Sequence, residues 1–170
     1  MKGRDRVRLK HVERQAEGYL ELGMNPQALE VLNRLGEGAG SAHALYLRGE
    51  ALRGLQRYQE ALVPLHKAAE KSPEDIHVLL ALGWCHKRTA RLDLAIADIE
   101  RALGINPGEA LLHYNLACYL CLAGDKRRSL AHLARALALD ARYREMIETE
   151  PDFDSLRDDP DFQAVTSIIV

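Results

Sequence analysis

The sequence predicts an all-α fold, a right-handed α-solenoid of about four helix pairs closed by a C-terminal capping segment. Three observations predict it. Leu, Ala, Glu and Arg dominate, while Phe occurs only twice and aromatics make up 5% of the chain, a balance that favours helices over strands. Apolar residues recur at three and four, as in Leu79, Leu82, His86 and then Leu92, Ile96, Ile99, Leu103, the spacing of one helical face. The chain also matches itself when slid by one fixed length of ~34 residues, the mark of a repeat architecture. Gly49, Gly83 and Ala117 fall in register, as do Ala61, Ala95 and Ser129, then Leu65, Ile99 and Leu133, then Ala68, Ala102 and Ala136.

Four units follow, at about 9–41, 42–75, 76–109 and 110–143. The first is looser and one residue closer, with Ala16, Tyr19, Gly23, Ala28 and Leu32 in the places of Gly83, His86, Ala90, Ala95 and Ile99. A glycine-rich join at 36–40 absorbs the irregularity. Within each unit a Gly or Ala of the first helix faces an Ala of the second, where two backbones come close. Asn25-Pro26, Ser72-Pro73 and Asn106-Pro107 are each expected to start a helix, with a capping side chain before a proline. Asp75 and Glu109 follow three residues after Ser72 and Asn106, completing a capping box. Gly23 and Gly124 are expected to end first helices in a left-handed conformation. Pro64, inside a second helix, predicts a local kink costing ~3 kcal/mol.

This pattern resembles the tetratricopeptide repeat, whose signature is W-x2-L-G-x2-Y, then A-x3-F, A and P. The third unit reads Leu79-x2-Leu82-Gly83-x2-His86, Ala95-x3-Ile99, Ala102, Pro107. The second reads Leu45-x2-Arg48-Gly49-x2-Leu52, Ala61-x3-Leu65, Ala68, Pro73. Arg48 departs from the pattern, standing where a buried Leu is usual. The resemblance covers about residues 9–143. Residues 144–170 form the expected helical cap of the same domain, and their D-F-D-S-L-R-D-D-P-D-F run is similar to the endings of bacterial tetratricopeptide proteins.

Composition and charge narrow the function. With 47% apolar residues and 28% charged, the chain is globular rather than disordered or fibrous. Three cysteines are too few for a disulfide scaffold, and the odd count fits a reducing compartment. No apolar run approaches the ~20 residues of a membrane span. The first fifteen residues carry charges without an apolar stretch behind them, which argues against secretion. A net charge of −2 gives no bulk reason to expect nucleic acid. A cytoplasmic, monomeric chain of bacterial type is therefore expected, without contact to membrane or nucleic acid.

The two ends carry opposite charge. Residues 1–10 hold five bases against Asp5, read as a solvated first turn. Residues 145–161 hold eight acids against Arg157, interleaved with Phe153, Leu156 and, further on, Phe162, Val165 and Ile168. Their apolar spacing fits the polar-outside cap a solenoid end needs.

Chemistry is not expected. Cys118 and Cys121 form C-x2-C inside an apolar helical run rather than at a helix start, where a thiol would be activated. No further ligand pair accompanies them for zinc. His43 and His77 share a repeat position and are expected about 10 Å apart, too far for a shared metal. The G-E-G-A-G-S run at 36–41 lacks the preceding strand and following Lys of a phosphate loop. No enzyme activity, cofactor or metal is therefore predicted.

Repeat solenoids bind partners on an extended concave surface. The family resemblance implies that first helices line it, at repeat positions two, five, nine and twelve. Those positions hold Lys10, Glu13, Glu17 and Leu20; His43, Tyr46, Glu50 and Arg53; His77, Leu80, Trp84 and Lys87; and Leu111, Tyr114, Cys118 and Cys121. The single Trp, with Tyr46, Leu80 and Tyr114, makes an apolar stripe rimmed by Glu50, Arg53 and Lys87, suited to a peptide or helix with an apolar anchor. Only Asn115 matches the Lys/Asn clamp by which family members hold a chaperone's C-terminal carboxylate, so that partner is disfavoured. The expected function is a non-catalytic adaptor. The alternatives are a secretion-type chaperone shielding an apolar client segment and a self-assembling structural module.

Overall fold

The structure, a computed structural model, describes residues 3–36 and 40–167. Glu37, Gly38 and Ala39 of the glycine-rich join, Lys2 of the basic start and Ile168 of the expected cap lie outside the described residues. The described residues are helical, with no strand among them. The chain packs as two compact units, Met1–Thr89 and Ala90–Val170. That boundary falls between the two helices of the third repeat.

The first unit contains α1 (Gly3–Glu21), α2 (Asn25–Asn33), α3 (Ala42–Gly54), α4 (Tyr58–Lys71) and α5 (Ile76–Arg88). α1 packs on α2, α2 on α3, α3 on α4, and α4 on α5, while α3 also meets both α1 and α5. Two apolar clusters hold it together. Val12, Ala16, Val31, Leu32, Ala44 and Leu47 bind the first hairpin to α3, and Leu45, Leu52, Ala61, Leu65, Val78, Leu82 and Cys85 join α3, α4 and α5. Close approach of α3 and α4 depends on Gly49, since a Cβ there would lie 2.5 Å from Leu65 Cγ.

The second unit contains α6 (Leu92–Ile105), α7 (Ala110–Leu122), α8 (Lys126–Leu139), α9 (Tyr143–Thr149), a 3-10 turn (Pro151–Leu156) and α10 (Pro160–Ser167). α7 packs on α6 and α8, the 3-10 turn lies on α7, and α10 lies on α8. Ser129 stands where the other repeats carry Ala, and its buried hydroxyl donates to the Ala117 carbonyl at 2.8 Å, so the polar atom is satisfied where it is dry.

Helix starts differ from expectation: α2 begins at Asn25 itself, with Met24 at the N-cap position and no capping side chain. α5 begins at Ile76 and α7 at Ala110, and their N-caps are Asp75 and Glu109. Ser72 and Asn106 instead terminate α4 and α6, so Pro73 and Pro107 lie in the turns between helices. An Asp or Glu carboxylate reaching the first free N–H groups competes better than Ser or Asn placed three residues earlier. Asp75 accepts from His77 N at 3.0 Å, and Glu109 accepts from Leu111 N at 3.4 Å.

Every turn from a first to a second helix uses one residue in the left-handed region. These are Gly23 (φ 70°), Gln56 (φ 59°), Ala90 (φ 60°) and Gly124 (φ 80°). Glycine adopts that conformation without cost, whereas Gln56, between the packed helices α3 and α4, and Ala90 hold it against a Cβ clash. Pro64 does not end its helix: α4 runs unbroken from Tyr58 to Lys71. Arg48 replaces the usual Leu with a different use, donating to the Leu32 and Gly36 carbonyls at 2.8 and 3.3 Å and so capping the end of α2.

Candidate functional site

The predicted partner-binding positions fall in two settings, one in each unit. In the first unit α3 lies against both α1 and α5, which brings three first helices side by side. Positions separated by three and four share a helical face, so His43, Tyr46, Glu50 and Arg53 line α3, and His77, Leu80, Trp84 and Lys87 line α5.

Their side chains interlock across the helices. The Tyr46 ring lies between two imidazoles, with its centroid 6.3 Å from His43 and 6.5 Å from His77. His43 Nε2 lies 2.6 Å from Glu17 Oε1 of α1, and Glu13 accepts from the Ser41 hydroxyl. Glu50 holds Arg53 through two hydrogen bonds of 2.9 and 2.6 Å. Burial opposes the Arg53 charge, yet the bonds to Glu50 outweigh it and raise its pKa. Burial, reinforced by Glu50, pushes the Tyr46 phenol up to about 12, so it stays a neutral donor at physiological pH.

Trp84 is half-buried at the centre of the α5 face. The Arg53 guanidinium carbon lies 6.0 Å from its ring centroid and Lys87 Nζ lies 5.4 Å away, both within cation–π range. Behind this surface the Cys85 thiol is fully buried, and burial raises it to about 11. It is a packed thiol rather than a nucleophile.

In the second unit the corresponding face of α7 is already covered. Tyr114 is 3% exposed and Cys118 2%, beneath the chain's own C-terminal segment. The Tyr114 hydroxyl donates to Glu150 Oε2 at 3.0 Å, and its ring meets Tyr143 at 4.9 Å and the edge of Phe153 at 6.2 Å. Phe153 stacks in turn near Phe162 at 5.6 Å, and Cys121 Sγ lies 3.5 Å from the Ser155 hydroxyl. Burial raises the pKa of both Tyr114 and Cys121. Leu111 stays half-buried at the start of α7. Sequence reasoning placed Tyr114 and Cys118 on an open groove; both are buried beneath the C-terminal segment.

Acids that read as a possible binding tail are engaged in holding this segment. Lys126 meets Asp159 at 2.6 Å and Asp161 at 2.8 Å. Arg157 donates to the Ile147 and Glu150 carbonyls at 3.0 and 2.8 Å. Cys118, Glu150 and Asp152 offer ligand atoms within 4.8 Å of one another, yet Glu150 is occupied by the Tyr114 hydroxyl and by Asp152 N, so its visible role is to anchor the segment.

One titrating cluster was not legible from spacing. His113 of α7 and His132 of α8 meet with Nδ1 atoms 2.9 Å apart, and His113 Nε2 lies 3.0 Å from the Pro107 carbonyl. A carbonyl only accepts, so His113 donates through Nε2; in its neutral form its Nδ1 then accepts from His132. Burial, His113 and Arg128 push His132 below the usual imidazole range, while Glu100, paired with Arg128, works the other way. The neutral ring is therefore favoured in the folded state. Below the unfolded value of about 6.5, the unfolded chain binds a proton that the folded chain resists, so stability falls as pH drops from there towards the lower folded pKa. Urea midpoints measured from pH 7 to pH 5 should decline more steeply for the wild type than for His132→Gln; parallel profiles would remove His132 from the account.

With this geometry in place, comparison with known proteins is direct. Residues 43–75 and 76–109 each match a family model described as a tetratricopeptide repeat, so the chain carries repeats of that kind in its second and third units. Among solved structures, MamA from Desulfovibrio magneticus RS-1 is similar with a TM-score of 0.72 at 22% identity, covering 93% of this chain and 89% of that one. YrrB, described as a tetratricopeptide protein with an unusual peptide-binding site, is similar with a TM-score of 0.72 at 21% identity over 78% of this chain and 69% of that one. These likenesses show the fold, an all-α tetratricopeptide-type helical repeat. The phagocyte signaling-impaired protein of Drosophila pseudoobscura pseudoobscura is 32% identical over 103 residues, 59% of this chain and 11% of that protein. The chain thus spans about a tenth of that curated relative.

Proposed function

We propose that the chain is a non-catalytic protein-interaction module, an adaptor that takes a peptide or helix on the face formed by α1, α3 and α5. The observation that carries this reading is Trp84, half-buried beside Leu80 with Arg53 and Lys87 within 6.0 Å of its ring centre. Trp and Arg together in a partly desolvated centre are the residues that carry most binding energy at interfaces. The peptide-binding character of YrrB supports a peptide as the ligand class. A binding rather than catalytic role is supported by the carboxylates of the face, Glu13, Glu17 and Glu50, each bonded to a neighbour across or along the helices.

Trp84→Ala should weaken capture of the partner by about 30-fold or more, the size of an interface hot spot of ~2 kcal/mol. Melting should shift by only a few degrees, because the ring is partly exposed rather than buried in the core. Capture compared between wild-type and variant bait, with melting followed by circular dichroism, checks both. Collapse of melting would make Trp84 a core residue and sink the reading.

A further inference from the structure

The second unit displays what its own first-helix face takes. Across α7 lies Glu150-Pro-Asp-Phe-Asp-Ser-Leu156, an acidic turn anchored by one aromatic ring. Phe153 is fully buried and edge-on to Tyr114, Glu150 accepts from the Tyr114 hydroxyl, and Ser155 meets Cys121. Tyr114, Cys118 and Cys121 occupy repeat positions five, nine and twelve.

The same positions two repeats earlier are Tyr46, Glu50 and Arg53, and one repeat earlier Leu80, Trp84 and Lys87. The phenol is retained at Tyr46. Where α7 offers a thiol at position twelve, α3 and α5 offer a guanidinium and an ammonium. Two carboxylates of this face are already paired, Glu17 with His43 and Glu50 with Arg53. An incoming acidic segment therefore meets cations and a phenol donor, with Trp84 and Leu80 beneath its ring. That complementarity steers and orients a charged ligand.

Resting on the adaptor reading above, we infer that the α3–α5 face binds a short acidic segment carrying one aromatic anchor, the chemistry of the turn the chain lays on its own α7.

The test uses the full chain and an acetylated peptide with the sequence of residues 148–157, Glu-Thr-Glu-Pro-Asp-Phe-Asp-Ser-Leu-Arg. Because Trp84 is the single Trp, its emission reports this face alone. A saturable change is expected, with affinity falling about tenfold or more in a peptide whose Phe is Ala and in one whose four acids are amides. Lys87→Gln, and Arg53→Gln with Lys87→Gln, should weaken the acidic peptide while helicity is unchanged; the first leaves Glu50 paired and guards against misfolding of the second. Equal binding of the acidic and amide peptides would overturn the inference and leave the adaptor reading standing. So would binding insensitive to both variants, which would place the peptide on α7 in exchange for the chain's own turn. No response of Trp84 at millimolar peptide overturns the inference as well. The adaptor reading itself fails separately, if Trp84→Ala leaves partner capture unchanged. Self-association abolished by Arg53→Gln but not by Phe153→Ala would assign the face to another part of a second copy and overturn the proposal.

Discussion

Phe153→Ala should cost about 3–5 kcal/mol, the range for truncating a fully buried aromatic side chain. The ring sits at the junction of every element that covers α7. It meets Tyr114 at 6.2 Å and Phe162 at 5.6 Å, and such ring pairs add to the area term. Its loss leaves a cavity that the Arg157 side chain, bonded to the Ile147 and Glu150 carbonyls, prevents from closing easily. The consequence is specific as well as large. None of the three cysteines is in a disulfide and all are buried, so a thiol reagent should react slowly with the folded wild type. When the 3-10 turn loosens, Cys118 and Cys121 become accessible, whereas Cys85 belongs to the first unit and stays protected. Chemical denaturation gives the energy, and mass spectrometry of thiol labelling gives the location. Uniform labelling of all three would mean global unfolding, and unchanged labelling would remove Phe153 from its holding role.

Gly49→Val should destabilise the first unit by about 1–3 kcal/mol, the usual cost of overpacking a tight core. A Cβ at Gly49 would lie 2.5 Å from both Leu65 Cγ and Cδ2, well inside contact distance. Leu65 is fully buried, so it cannot swing into solvent to make room. Helix propensity offsets part of the cost, since Gly is the poorer helix former by ~1 kcal/mol against Ala and less against Val. Ala117, at the equivalent place of the fourth repeat, shows that the α7–α8 contact is wider. Urea denaturation of Gly49→Val beside Ala117→Val checks the difference: similar losses would mean that the α3–α4 approach is not unusually close.

Register, helix count and the face of each helix were legible in the residues because a repeat states each requirement several times. Small residues at Gly49 and Ala61 mark the helix crossing, and apolar spacing marks the buried stripe. The helix starts were less legible. Ser72-Pro73 and Asn106-Pro107 carry the usual signal, yet Asp75 and Glu109 cap instead, and local sequence does not rank two competing caps. The left-handed turn position was visible only where Gly stood, at 23 and 124; Gln56 and Ala90 carry no such mark.

For the candidate site, periodicity placed Tyr46, Trp84 and Tyr114 on the same face of their first helices and treated them as one stripe. It carried no information on what lies over each. Tyr114 is covered because residues 150–156 return to α7, a contact between positions more than thirty residues apart. Trp84 stays partly exposed, beside Arg53 and Lys87. His113 and His132 likewise met only through the packing of α7 on α8. By itself, then, the sequence determined the helical repeat and the direction each side chain faces, because both follow from local spacing along one chain. Only the tertiary structure decided which of those faces is covered and which histidines share a proton, because coverage and proximity depend on where distant segments come to rest.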